Sequence, residues 1–183
     1  KIKEESNDKD KKYNKLRKES SIKKEILYVT AQEHAVPSSM LAMIKYIKAE
    51  KNDYEQLITV NSGNIKESEE RLKRYNLGDI QIITRDDEKY LKSLSEAEYI
   101  FSDCGLEYYF AAKNNQKYFN LQTDNISAKM TRKKERECFE FATVQKSIIT
   151  PKASIYLTNE SRLSFEKAYR CETVSYTHLR AHE

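Results

Sequence analysis

The sequence predicts an α/β fold: a Rossmann-like parallel sheet with helices on both faces. Three observations predict it. Strand-like and helix-like patterns alternate about six times with short connections, the signature of βα units joined by right-handed crossovers. The strand-like runs are nearly continuous in apolar residues, as in EILYVTA at Glu25–Ala31, which is the pattern of strands buried on both faces. Glycine and proline are scarce, three and two in 183 residues, which argues against collagen-like, low-complexity and turn-dense all-β architectures.

In chain order, Lys1–Lys24 has Ile2, Leu16 and Ile22 as its only aliphatic residues and carries ten basic against five acidic side chains. It is expected to be a charged linker or a frayed helix. The first strand is Glu25–Ala31, followed by a loop at Gln32–Val36. Pro37-Ser38-Ser39 then starts a helix, since proline suits a first turn and serine can cap orphan N–H groups. Met40, Leu41, Ile44 and Ile47 give that helix one buried stripe. Tyr54–Asn61 is the second strand. A helix to about Tyr75 follows, with Gly78 available as its left-handed cap. Asp79–Thr84 is the third strand, and Asp86–Leu94 is a short helix with its acids at the positive end of the dipole. The strand Ala97–Phe101, a helical turn Gly105–Ala112 and the strand Lys117–Leu121 form the centre of the chain. A long helix, Ser127–Lys146, a strand, Ala153–Thr158, and a last helix, Arg162–Tyr169, complete the pattern.

The domain is thus expected at residues 25–173. Val174–Glu183 (VSYTHLRAHE) resembles a translated sequencing adapter and is expected to lie outside it, the native protein continuing past Thr173. His178 and His182 in that tail are not read as metal ligands. The three cysteines form no CxxC pair and fit reduced thiols in a cytoplasmic protein, so neither a metal nor a cofactor is expected. Cys104 has no evident basic partner in the sequence and is not expected to be a nucleophile. No run of about 18 apolar residues is present, so no membrane-spanning helix is predicted. Basic segments without an aromatic platform argue against nucleic acid.

In an open α/β sheet the ligand sits beyond the carboxyl ends of the strands. Two polar clusters end the central strands, Ser102-Asp103-Cys104-Gly105 and Gln122-Thr123-Asp124-Asn125, and they mark the expected site. Asp103 can accept hydrogen bonds from a hydroxyl-bearing ligand, or serve as a turn former. His34 and Ser38 follow the first strand on the same edge. His34 can orient a phosphate or be a surface-loop histidine. GxGxxG, Walker A, GxSxG and HExxH motifs are absent, so a conventional dinucleotide or P-loop site is not expected.

The order of segments resembles the CDP-glycerol glycerophosphotransferases of teichoic-acid synthesis, in their N-terminal domain. The resemblance runs over about Glu25–Tyr169. It is carried by the strand and turn AEYIFSDCGLEYYF, by the strand ending Tyr-x-Asn at Tyr118–Asn120, and by ASIYLTNESRLSFEKAY. Where that family usually reads Trp-His-Gly, this chain reads Gln122-Thr123-Asp124. The family's histidine, a general base on the acceptor hydroxyl, falls on Thr123. A threonine hydroxyl cannot take a proton near neutral pH as imidazole does. Asp124 can do so if burial raises its pKa. Lys129 stands near the family's lysine.

The resemblance implies the N-terminal, acceptor-side half of a GT-B-like two-domain transferase. Such an enzyme moves glycerol phosphate from CDP-glycerol to a hydroxyl of a cell-wall polymer at the inner face of the cell membrane, with peripheral membrane contact. Catalysis would fall to Thr123 and Asp124, and acceptor binding to His34, Ser38, Asp103, Gln122, Asn125 and Lys129. The donor would be held by a C-terminal half, so this piece is expected to be inactive alone. Two further readings stay open from the sequence: half of a GT-B glycosyltransferase using a nucleotide-sugar donor, or a catalytically degenerate domain that binds a polymer or partner.

Overall fold

The structure is a computed structural model that describes residues 2–31, 35–51, 53–122, 150–156, 159–160, 162–163 and 176–178. Its elements run α1 (Ile2–Glu19), β1 (Lys23–Val29), α2 (Ser38–Glu50), β2 (Glu55–Thr59), α3 (Ile65–Arg74), β3 (Gln81–Ile83), α4 (Glu88–Glu96), β4 (Ala97–Ser102), β5 (Lys117–Gln122), β6 (Ala153–Tyr156) and β7 (Tyr176–His178). A 3-10 turn at Ser62–Asn64 leads into α3, with the Asn61 side chain accepting from the Gly63 N–H. All seven strands are parallel, in the order β3-β2-β1-β4-β5-β6-β7. The α/β sheet with helices on both faces expected from the sequence is borne out.

Two cores follow from the period-2 alternation of side chains along the strands. On one face Ile26, Tyr28, Ile58 and Phe101 meet Met40, Leu41, Ile44 and Ile47 of α2 and Leu72 of α3. Tyr28, Phe101 and Phe119 occupy one cross-strand row and stack with centroid separations of 5.7 and 5.1 Å. On the other face Leu27, Val29, Leu57, Ile100 and Tyr118 meet Tyr90, Leu91 and Leu94 of α4 and Tyr13 of α1. Burial on both faces is why these strands read as unbroken apolar runs.

Three local expectations need correction. Residues 2–19 are a docked helix rather than a frayed end. Tyr13 is fully buried and its hydroxyl donates to the Ala111 carbonyl at 3.1 Å, while Arg17 Nε donates to the same oxygen at 2.8 Å. One large aromatic buries what the few aliphatic residues of the segment could not. Lys9 and Lys12 reach Asp86 and Glu88 at the start of α4. Second, the left-handed position after α3 belongs to Asn76 (φ 57°), and Gly78 has no positive φ. Asparagine tolerates that region better than other residues with a Cβ. Third, residues 105–112 are irregular chain with a single turn at Tyr108-Tyr109 in place of a helical turn, the Phe110 N–H donating to the Glu107 carbonyl. Residues 176–178, within the segment resembling an adapter, form β7, paired with β6. The helix expected at Ser127–Lys146 and most of that at Arg162–Tyr169 lie outside the described residues.

Candidate functional site at the carboxyl edge of the sheet

Strand register defines the edge. Ile83, Thr59, Val29, Ser102, Asn120 and Ser154 form one continuous row across β3, β2, β1, β4, β5 and β6. The order of strands reverses between β1 and β4, and such a switch point opens a crevice at the carboxyl ends, where ligands bind in this class of sheet. Polar residues collect there despite deep burial: Thr30, Thr59, Ser102, Asn120 and Ser154 are all 5% exposed or less. Thr30 Oγ1 donates to the Thr59 carbonyl at 2.6 Å, and the Thr30 N–H reaches Thr59 Oγ1 at 3.2 Å, which satisfies the pair inside the sheet.

Asp103 closes the gap between the loops after β1 and β4. Its Oδ1 accepts the Ala31 N–H at 2.8 Å, and its own N–H donates to the Val29 carbonyl at 3.3 Å. Burial raises its carboxyl pKa, opposed by the Ala31 N–H and by Arg85. Beneath it, Arg85 at the start of the β3–α4 loop donates through Nη2 to the Thr30 carbonyl (3.1 Å) and to Cys104 Sγ (2.9 Å). Its Nη1 lies 3.6 Å from Glu107 Oε1, and Glu107 Oε2 accepts from the buried Tyr90 hydroxyl at 2.5 Å. Burial and the neighbouring Glu107 push the Tyr90 phenol well above its ordinary value, so it remains a donor.

The predicted site residues divide into three groups. Asp103 sits on the edge and stitches two loops together, so it is already engaged as a structural acceptor. Ser38 opens α2 but does not cap it. Pro37 is the N-cap, and Ser38 Oγ accepts instead from Arg71 Nη2 of α3 at 2.9 Å. Gln122 ends β5 opposite Tyr156, in the strand next to β4, so the two polar clusters leave the sheet from adjacent strands. His34, Thr123, Asp124, Asn125 and Lys129 lie outside the described residues.

The structure also supplies the basic partner for Cys104 that the sequence did not reveal, namely Arg85. Burial raises the Cys104 thiol pKa and Arg85 lowers it, with burial the larger effect. Arg85 and Glu107 were not singled out from the sequence. The signal for Arg85 was available, because it is the second residue after β3 on the same carboxyl edge that marked Asp103. The edge thus offers a hydrogen-bonded floor, and β5 ends on it at Gln122.

Comparison with known proteins follows from this architecture. The family described as CDP-Glycerol:Poly(glycerophosphate) glycerophosphotransferase matches residues 12–178. Solved structures of the wall teichoic acid polymerase TagF share the fold. One superposes with a TM-score of 0.66 at 16% identity, covering 93% of this chain and 42% of that one. A histidine-to-alanine variant gives 0.67 at 16% identity, with coverages of 97% and 44%. A histidine-to-asparagine variant soaked with CDPG for 30 minutes gives 0.68 at 14% identity, with coverages of 93% and 43%. The chain therefore spans less than half the length of those polymerase chains. A comparison with curated proteins finds no match.

Proposed function

Because the chain belongs to the CDP-glycerol:poly(glycerophosphate) glycerophosphotransferase family, we propose that it is the acceptor-side part of a transferase that extends a teichoic-acid-like polymer. The reaction joins an acceptor hydroxyl to the phosphorus of the glycerol-phosphate unit of CDP-glycerol, forming a phosphodiester and releasing CMP. The observation that carries this reading is the family match over residues 12–178 of a sheet whose β4 and β5 end side by side. It favours glycerophosphate transfer over transfer from a nucleotide-sugar donor.

In this proposal the crevice beyond β1, β4 and β5 receives the polymer end. His34, Ser38, Asp103, Gln122, Asn125 and Lys129 bind it through hydrogen bonds and, at Lys129, through charge. Thr123 and Asp124 stand nearest the reacting hydroxyl. Asp124 is the group able to take its proton, provided burial raises its carboxyl pKa. A further domain supplies most of the CDP-glycerol contacts. The enzyme works at the cytoplasmic face of the membrane through peripheral contact. No helix among the described residues is long and apolar enough to cross a membrane.

The test uses the full-length protein with CDP-glycerol and a short glycerol-phosphate primer. Release of CMP that depends on primer is expected, and Asp124→Asn should lower turnover by about 10²-fold or more, the scale of a lost general base. CMP release that is the same with and without primer would contradict the assignment. The isolated chain of 183 residues is expected to show neither tight CDP-glycerol binding by calorimetry nor turnover.

A further inference from the structure

We infer that Arg85 is a positioning residue for the acceptor side of the crevice, an inference that rests on the proposed function. Its side chain is 22% exposed and its Nε–H is buried without a hydrogen-bond partner. A cation so placed has given up much of its hydration, and three contacts hold it there. Nη2 takes the Thr30 carbonyl after β1 and Cys104 Sγ after β4, and Nη1 faces Glu107 in the loop that follows. A planar guanidinium fork can serve three partners in fixed directions, which a lysine ammonium on a flexible stem cannot reproduce.

The contacts bracket a hydrogen bond that joins the two loops of the switch point. Thr30 precedes Ala31 and Cys104 follows Asp103, and the Ala31 N–H donates to Asp103 Oδ1 at 2.8 Å between them. Arg85 thus ties three loop starts into one arrangement, those after β3, β1 and β4. Its effect reaches the acceptor through Asp103 and the Ala31 N–H that Asp103 accepts. Displacement of groups by about 1 Å costs as much as 10²-fold in rate in comparable sites.

The test uses the full-length transferase with Arg85→Met and Arg85→Lys. Arg85→Met is expected to raise KM for the primer about tenfold while KM for CDP-glycerol stays within about twofold. Amide exchange at Ala31 and Asp103 is expected to accelerate while that in β2 and α3 does not. Arg85→Lys keeps the pairing with Glu107 but loses the fork, and should give an intermediate primer KM. The inference is overturned if primer KM and both exchange rates match the wild type. It is equally overturned if KM rises alike for both substrates along with a fall in Tm, which is what general loosening would produce. A wild-type enzyme that transfers no glycerol phosphate would overturn the proposed function instead, and the exchange rates at Ala31 and Asp103 would then decide the role of Arg85.

Discussion

Glu25 is a carboxyl at the start of β1 that is 5% exposed, with Oε1 lacking a hydrogen-bond partner. Burial raises its pKa, a Ser93 hydrogen bond and Lys89 oppose that, and Glu55 and Glu96 add to it. The folded state therefore holds this proton more tightly than the unfolded chain. Its contribution to stability is greatest below the ordinary carboxylate pKa of about 4.3 and falls as pH rises through the raised folded value. Glu25→Gln removes the titration. The two proteins should diverge in urea midpoint as pH rises from about 4 toward neutrality, the variant gaining; parallel profiles would show that Glu25 does not titrate in this way. A second prediction concerns backbone strain at Asn76, whose φ is 57°. Asn76→Val should cost about 1–2 kcal/mol, since a branched Cβ clashes in the left-handed region, whereas Asn76→Gly should be close to neutral. Urea unfolding of both variants measures the difference. Asn76 also shows where residue-level reading of the sequence stops. Glycine is the commonest left-handed residue, so Gly78 drew attention, but the hydrogen bond of the Leu77 N–H to the Leu72 carbonyl places the turn two residues earlier.

Helix α1 owes its docking to one aromatic more than to its many charges. Tyr13 is fully buried against Tyr109 and Phe110, with ring centroids 5.3 and 6.3 Å away. Tyr13→Ala should destabilise the protein by about 3–5 kcal/mol, the range for large aromatic truncations in cores. Lys9→Ala and Lys12→Ala, which break pairs with largely exposed Asp86 and Glu88, should each shift the midpoint far less than Tyr13→Ala. Chemical denaturation of the three variants checks the ranking, and a reversed order would mean that α1 is held by charge. The strands were legible in the sequence because burial on both faces leaves an unbroken apolar run. The docking of α1 was not, because its partners are backbone carbonyls at Ala111 and Ala112, some 94 to 98 residues away. The same holds for residues 105–112. Their irregular path is held by Tyr13, Arg17 and the pairing of Arg85 with Glu107, none of which leaves a periodic pattern.

At the scale of the molecule, a single topological feature organises the rest. Two strands lie on one side of β1 and four on the other, so the loops after β1 and β4 flank a crevice. That edge was legible from the polar clusters ending the central strands, and Asp103 lies on it. The strap beneath it was not, since sequence spacing does not say which long side chain crosses from β3 to β4. The family match underlies the proposed reaction, in which a polymer hydroxyl meets an activated glycerol phosphate. The departure at Gln122-Thr123-Asp124 makes that reaction a demanding test of the account. The most direct measurement is the linkage formed when the full-length protein is incubated with CDP-glycerol and a glycerol-phosphate primer, read by phosphorus NMR of the product. The account predicts a new phosphodiester resonance that grows with chain length. A product joined by a glycosidic bond from a nucleotide-sugar, or a primer left unchanged, would contradict it.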